Sequence, residues 1–148
     1  PHPSNMTVVA TEVWENLTDV TILRRELLPD SGGPGEFRGG SGQLTEFRND
    51  TGVELDMALM GQRTTYPAEG FSGGHAGKVR AYARGETVVD GKGRYTLAPG
   101  ERMTMYEAGG GGFGDPRRRP REKVLEDMQA GHVTSEGATR DYGMEFPE

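Results

Sequence analysis

Val53-Glu54-Leu55-Asp56-Met57-Ala58-Leu59 places an apolar side chain at every second position. Successive side chains of a strand point to opposite faces, so Val53, Leu55, Met57 and Leu59 share one face, predicting a half-buried strand. Towards the N-terminus, Val20 to Leu28 is rich in Thr, Val, Ile and Leu and stops at Pro29, which cannot donate to a ladder. Towards the C-terminus, Lys78 to Arg84 alternates Val79, Ala81 and Ala83 with Arg80, Tyr82 and Arg84. Thr87-Val88-Val89 and Arg94-Tyr95-Thr96-Leu97 flank Asp90-Gly91-Lys92-Gly93, which reads as a tight hairpin because Asp-Gly supplies positive φ angles. Pro99-Gly100 is another turn signal, and Arg102 to Glu107 another strand. Six or seven short strands with frequent turns predict a mainly β domain, a sandwich or a partly open barrel.

Composition limits what can fill that fold. The chain has 148 residues, enough for one domain, and 24 of them are glycine. Glycine shapes turns but buries almost no apolar area, so the expected core is thin and completed by another protein surface. The net charge of −6 argues against bulk nucleic-acid binding, which needs clustered positive charge. No apolar run approaches a membrane span, and Pro1-His2-Pro3-Ser4-Asn5 lacks the basic and apolar regions of a secretory signal. The absence of cysteine excludes disulfide scaffolds and thiolate chemistry. A soluble cytoplasmic protein is the expectation.

Three glycine-rich loops punctuate residues 1–114: Asp30 to Gly42, Gly70 to Gly77 and Gly109 to Gly114. Residues 115–148 read as a helical tail docked on the β-domain or on a partner. Pro120 suits a first helical turn, Gly131 a stop, and Val124, Leu125 and Met128 one apolar face. A second helix follows Val133, capped by Thr134 or Ser135 and closed at Gly143.

No catalytic constellation assembles from these residues. Gly109, Gly111 and Gly114 have G-x-G-x-x-G spacing, yet Asp115-Pro116 follows at once and no second strand comes after, so the loop reads as a structural turn. His2, His75 and His132 are widely separated, which gives no metal-ligand spacing. His75 is a binding candidate because glycines around it let backbone approach a ligand. Glu54, Asp56 and Glu69 lack positioned partners, and Ser31, Ser41 and Ser72 do not sit in a G-x-S-x-G elbow. Arg117, Arg118 and Arg119, with Arg121, form the one basic cluster. At a helix N-terminus it gains nothing from the dipole, so contact with a partner is its expected role.

Longer motifs carry a resemblance. Pro29-Asp30-Ser31-Gly32-Gly33-Pro34-Gly35-Glu36-Phe37-Arg38-Gly39-Gly40-Ser41-Gly42 resembles the P-D-S-G-G-x-G-x-[FY]-R-G-G-x-G stretch of the hydantoinase B/oxoprolinase family. Gly110 to Pro116, Val124 to Asp127, Gly131 to Ser135 and Arg140 to Gly143 are similar to that family's C-terminal motifs, and Met6 to Glu15 to the segment before the glycine motif. The family loop often has lysine where His75 stands.

The resemblance implies a small non-catalytic subunit equivalent to the C-terminal domain of a hydantoinase B-type chain. The family's B-type chains are about four times longer. Pro1 is the expected first residue after removal of an initiator Met. Such a subunit would serve an ATP-dependent carboxylase acting on a ketone such as acetophenone or acetone, or else a cyclic-amide hydrolase acting on hydantoins or oxoproline. No cofactor and no metal are expected in this chain. ATP and a divalent metal would belong to partners, namely hydantoinase A-like ATP-binding subunits beside a larger hydantoinase B-like subunit. On this reading Asp30 and Arg38 hold the first glycine loop by a local ion pair or contact the partner. Gly32, Gly33, Gly35, Gly39, Gly40, Gly42, Gly111, Gly112 and Gly114 shape the loops. The residues alone also permit a standalone β-domain whose loop N–H groups hold an anion.

Overall fold

A computed structural model describes residues 9–145. His2, the first residues of the Met6–Glu15 stretch and the last three residues of the tail lie outside the described residues. The elements run α1 (Thr11–Thr18), β1 (Val20–Leu27), β2 (Gln43–Asn49), β3 (Leu55–Met60), β4 (Ala81–Arg84), β5 (Thr87–Val89), β6 (Lys92–Leu97), β7 (Arg102–Tyr106), a 3-10 turn (Pro116–Arg118), α2 (Arg121–Gln129) and α3 (Ser135–Tyr142).

The strands form two antiparallel sheets, one of five in the order β1-β2-β7-β4-β5 and one pairing β3 with β6. One apolar cluster joins them, with Phe47, Tyr82 and Met103 from the larger sheet against Leu59 and Leu97 from the smaller. The fold is therefore mainly β, as expected, with separate sheets and no closed barrel. Leu55 and Met57 pack on this cluster from the face read in the sequence, whereas Val53, before the strand begins, is exposed.

Buried Asn49 ties the sheets at one end. Its side-chain amide donates to the Val53 and Leu97 carbonyls at 2.8 and 2.9 Å, and its own carbonyl accepts from Thr51. A buried amide with its hydrogen bonds made fixes position without an unsatisfied polar group.

The hairpin expected over Thr87–Leu97 does not form. β5 pairs with β4 through the Gly85-Glu86 turn, where Gly85 takes φ +56°, while β6 crosses to pair with β3. The Asp90-Gly91 corner changes sheets, anchored by the Gly61 N–H donating to the Gly91 carbonyl at 2.7 Å. Gly91 does not need a left-handed φ; a Cβ there would strike the Thr64 side chain. Two further elements escaped the pattern reading. Thr11–Thr18 is helical, and β2 lacks clean alternation because it buries Leu44 on one face and Phe47 and Asn49 on the other. The tail helices lie where the caps placed them. Thr134 accepts from Gly137 N–H, Gly131 and Gly143 adopt positive φ, and Pro120 stands just before α2. Leu125, however, points outward, and Val124 is buried with Val133, Ala138, Tyr142 and Met144 in a second cluster.

At the edge where β1 begins and β2 ends, Asp50 accepts from the Arg48 guanidinium at 2.7 and 2.8 Å and from the Thr21 hydroxyl. The Arg48 hydrogen bonds, then that from Thr21, lower its carboxyl to about 2. The folded value lies below the ordinary one near 4. The stabilising contribution is therefore complete above the ordinary value and is lost as pH falls through 2. A carboxyl NMR titration should give Asp50 a midpoint about 2, and Arg48→Gln should return it towards the ordinary value. An unshifted wild-type midpoint would show that the clamp does not hold in solution.

Candidate functional site

The glycine loops build a layer beside the sheets in which backbone packs on backbone. The Gly109–Gly114 loop is its spine. On one side Gly33 N–H donates to Gly110 O at 2.7 Å, Gly110 N–H to Gly40 O at 2.9 Å, and Phe37 and Phe113 exchange both their backbone bonds at 2.9 Å. On the other side Phe71 N–H donates to Gly112 O, Gly112 N–H to His75 O, and Gly109 N–H to Lys78 O, at 2.9 to 3.0 Å. The outer loops also meet directly, His75 N–H reaching Pro34 O and Lys78 N–H reaching Ser31 O, each at 2.8 Å. The spine is thus a hydrogen-bonded strut and not the turn expected from its sequence.

This spacing explains the composition. A Cβ on Gly39 would land on the Gly110 carbonyl, one on Gly111 on the Glu69 carbonyl, and one on Gly112 on the Pro34 carbonyl. Gly40, exposed at the layer's edge, has nothing within 4 Å of a Cβ position. Buried Ser31 pins the layer to the sheet, its hydroxyl donating to Leu28 O at 2.6 Å and accepting from Gly42 N–H at 2.7 Å.

Where the layer meets the tail, charge does the joining. Asp30 and Arg38 do not pair with each other as expected; each reaches the tail. Asp30 accepts from Thr134 N–H at 2.9 Å and from its hydroxyl at 2.6 Å, while Asp30 N–H donates to His132 O at 2.9 Å. Arg38 and Arg119 converge on Asp127, with Arg119 Nη2 donating to Oδ2 at 2.7 Å and Arg38 Nε 3.2 Å from the same oxygen. All three side chains are less than one-sixth exposed. Arg38 also donates to Gly39 O and the Ser41 hydroxyl, Ser41 meets His132 Nδ1 at 3.2 Å, and Arg119 donates to Glu36 O. One carboxylate thus holds two guanidiniums; among the described residues the buried Nε atoms of both arginines make no hydrogen bond, Arg38 Nε meeting Oδ2 as an ion pair while its Nη2 donates to Oδ1 at 3.3 Å.

Comparison with known proteins gives this layer a family. The family model described as hydantoinase B/oxoprolinase matches residues 1–116. The chain belongs to the hydantoinase B/oxoprolinase family. Caprolactamase subunit beta of Pseudomonas jessenii is 37% identical over 144 residues, covering 90% of this chain and 24% of that one. The crystal structure of the ATP-dependent caprolactamase from the same organism superposes with a TM-score of 0.76 at 29% identity, over 93% of this chain and 25% of that one. Nucleotide-free acetone carboxylase shares the fold, with a TM-score of 0.75 at 21% identity over 93% of this chain and 23% of that one. This chain thus spans about a quarter of the length of these relatives.

Within this region the other sequence candidates scatter. His75 contributes its backbone to the layer and leaves its side chain exposed. The basic cluster divides, since Arg119 enters the Asp127 network whereas Arg117 and Arg118 stay exposed. Arg118 stands 3.5 Å from Glu36. Among the described residues no group of three or more His, Asp or Glu stands together as a metal site, and no helix is long and apolar enough to cross a membrane. A cleft of ≈ 500 Å³ lined by Arg84, Thr87, Val89, Tyr95, Glu101 and Arg102 involves none of the glycine loops. Asp127 was not among the site candidates, although it closes the Val124–Asp127 stretch that resembles a family motif and stands three residues after Val124 of the expected apolar face.

Two measurements probe this geometry. Gly39→Ala should destabilise the protein by about 3 kcal/mol in urea unfolding, against no more than about 0.5 kcal/mol for Gly40→Ala. Equal effects would overturn the close-packing account. Asp127→Asn, which strands two buried guanidiniums, should cost about 3 kcal/mol, and an unchanged unfolding midpoint would show that the network does not hold the tail.

Proposed function

We propose that this chain serves as the glycine-layer region of a hydantoinase B-type component in an ATP-dependent enzyme that opens cyclic amides. The tail network carries the structural half of this reading. Asp30 and Arg38 of the glycine motif, met by Arg119 from the turn before α2, are committed to holding loops and tail together. Motif residues used in this way build a scaffold, and the reacting groups lie on the rest of the assembly. ATP and a divalent metal are held by hydantoinase A-like partner subunits. There ATP would pass its γ-phosphoryl group to the amide oxygen with loss of ADP, water would add to the activated carbon, and the ring C–N bond would break with a proton passing to nitrogen before phosphate is released by hydrolysis.

The choice of substrate class rests on similarity. Identity to caprolactamase subunit beta is 37%, and its solved structure shares 29%, against 21% for acetone carboxylase. Ring opening therefore takes precedence over the ketone carboxylation expected from the sequence, which stands as the second reading.

The native protein carrying this sequence, purified untagged from its source, tests both. Its mass should far exceed the 16.1 kDa of this chain, it should contain a hydantoinase A-like component, and its ATP hydrolysis should rise with a lactam or hydantoin in the absence of bicarbonate. ATP hydrolysis requiring a ketone and bicarbonate would replace the first reading by the second. A lone species of 16.1 kDa would overturn both and favour the standalone anion-binding domain.

A further inference from the structure

The chain has five phenylalanines. Phe47 fills the core and Phe146 lies outside the described residues, whereas Phe37, Phe71 and Phe113 are 63, 73 and 48% exposed. These three come from the three different glycine loops, and Phe113 neighbours both of the others. The Phe113 ring centroid lies 6.1 Å from that of Phe37 and 5.9 Å from that of Phe71, both tilted. Backbone bridges from Phe113 to each of the other two fix the rings in a row. Hydrogen bonds hold the backbone beneath the rings in place before anything binds: Phe37 and Phe113 exchange theirs at 2.9 Å, Phe71 N–H donates to Gly112 O at 2.9 Å, and Gly114 N–H donates to Phe71 O at 3.0 Å. A chain so poor in large apolar side chains nevertheless displays three aromatic rings together in water. Preorganised aromatic clusters of this kind are what interface centres are made of, and exposed apolar patches rimmed by charge mark interaction sites.

Charged side chains close to these rings along the chain indicate what the patch receives. Arg118 stands beside Glu36, the neighbour of Phe37, and Arg117 is exposed three residues after Gly114. Arg117's guanidinium forms no ion pair among the described residues, and Arg118 is 73% exposed at its 3.5 Å contact. An apolar centre beside under-used guanidiniums suits an apolar surface that carries carboxylates. The chain also spans only about a quarter of its relatives, so a larger body of the same family accompanies this region in each of them.

We propose that Phe37, Phe71 and Phe113, with Arg117 and Arg118 at their rim, form the docking face for a carboxylate-bearing apolar surface of the larger hydantoinase B-type body. This rests on the reading of the chain as one region of such an assembly. It assigns these three rings to an interface and leaves the core, the tail network and His75 outside it.

The test uses the native assembly carrying Phe71→Ser, Phe113→Ser or Arg118→Glu, with thermal unfolding of each variant as the folding control and Gly40→Ala as a silent surface change. A photoreactive benzophenone side chain at position 71 reports the neighbour by mass spectrometry of the cross-linked peptides. Cross-links should join position 71 to hydantoinase B-type sequence outside these 148 residues, at a peptide containing Asp or Glu. Each Phe→Ser change should weaken the assembly by roughly 30-fold, and Arg118→Glu by roughly tenfold with a reduced salt dependence. Wild-type assembly with a hydantoinase-type body, cross-linked elsewhere and unaffected by the variants, would overturn the docking face while leaving the proposed function intact. Cross-links to a second copy of this chain would overturn the assigned occupant. A wild-type protein without any hydantoinase-type component would overturn the function and the docking face together.

Discussion

Backbone-to-backbone contact across the glycine layer is the constraint on which the rest of this structure depends. Three loops are stacked closely enough that carbonyl oxygens occupy the positions where Cβ atoms would stand. Such packing satisfies buried peptide groups without β-sheet geometry, through hydrogen bonds such as Gly33 to Gly110 and Gly112 to His75. It also removes the side chains that would otherwise form a core. The apolar content is consequently divided between a small cluster joining the two sheets and a second small cluster inside the tail.

A layer made of backbone has few ways to hold a neighbour, and here charge supplies them. Asp30 adopts a left-handed φ of 53° and turns its carboxylate onto Thr134 at the start of α3. Arg38 leaves the same loop to meet Asp127 of α2, where Arg119 arrives from the turn before that helix. Removing water from these groups is costly unless every partner is present, which couples the order of the loop to that of the tail. Within the glycine motif that marks the family, Asp30 and Arg38 thus hold the tail while Phe37 is left at the surface.

Much of this was legible in residue order. Alternation in Val53 to Leu59 located β3, and Pro120, Gly131, Thr134 and Gly143 bounded both tail helices, because each signal acts within a few residues of itself. Partners at long range were not legible. Asp30 and Arg38 were expected to hold their own loop by a local ion pair or to contact a partner, yet the groups they meet lie 104 and 89 residues away in this chain. Asp90-Gly91 looked like a hairpin turn, but Leu97 and Tyr95 had apolar surface to bury beside β3, and that drew β6 into the other sheet. β2 went unread because a strand buried on both faces loses its alternation.

By itself the sequence determined the mainly β class, the glycine loops, the helix caps and the membership that the family motif announces. Each of these depends on local backbone preference or on a run of residues long enough to be specific. Only the tertiary structure decided which strands share a sheet, which arginines share Asp127 and which phenylalanines face outward together. Those choices depend on which distant segments can approach one another. Here that approach is set by the absence of side chains along three separate loops, an effect that no single loop contains.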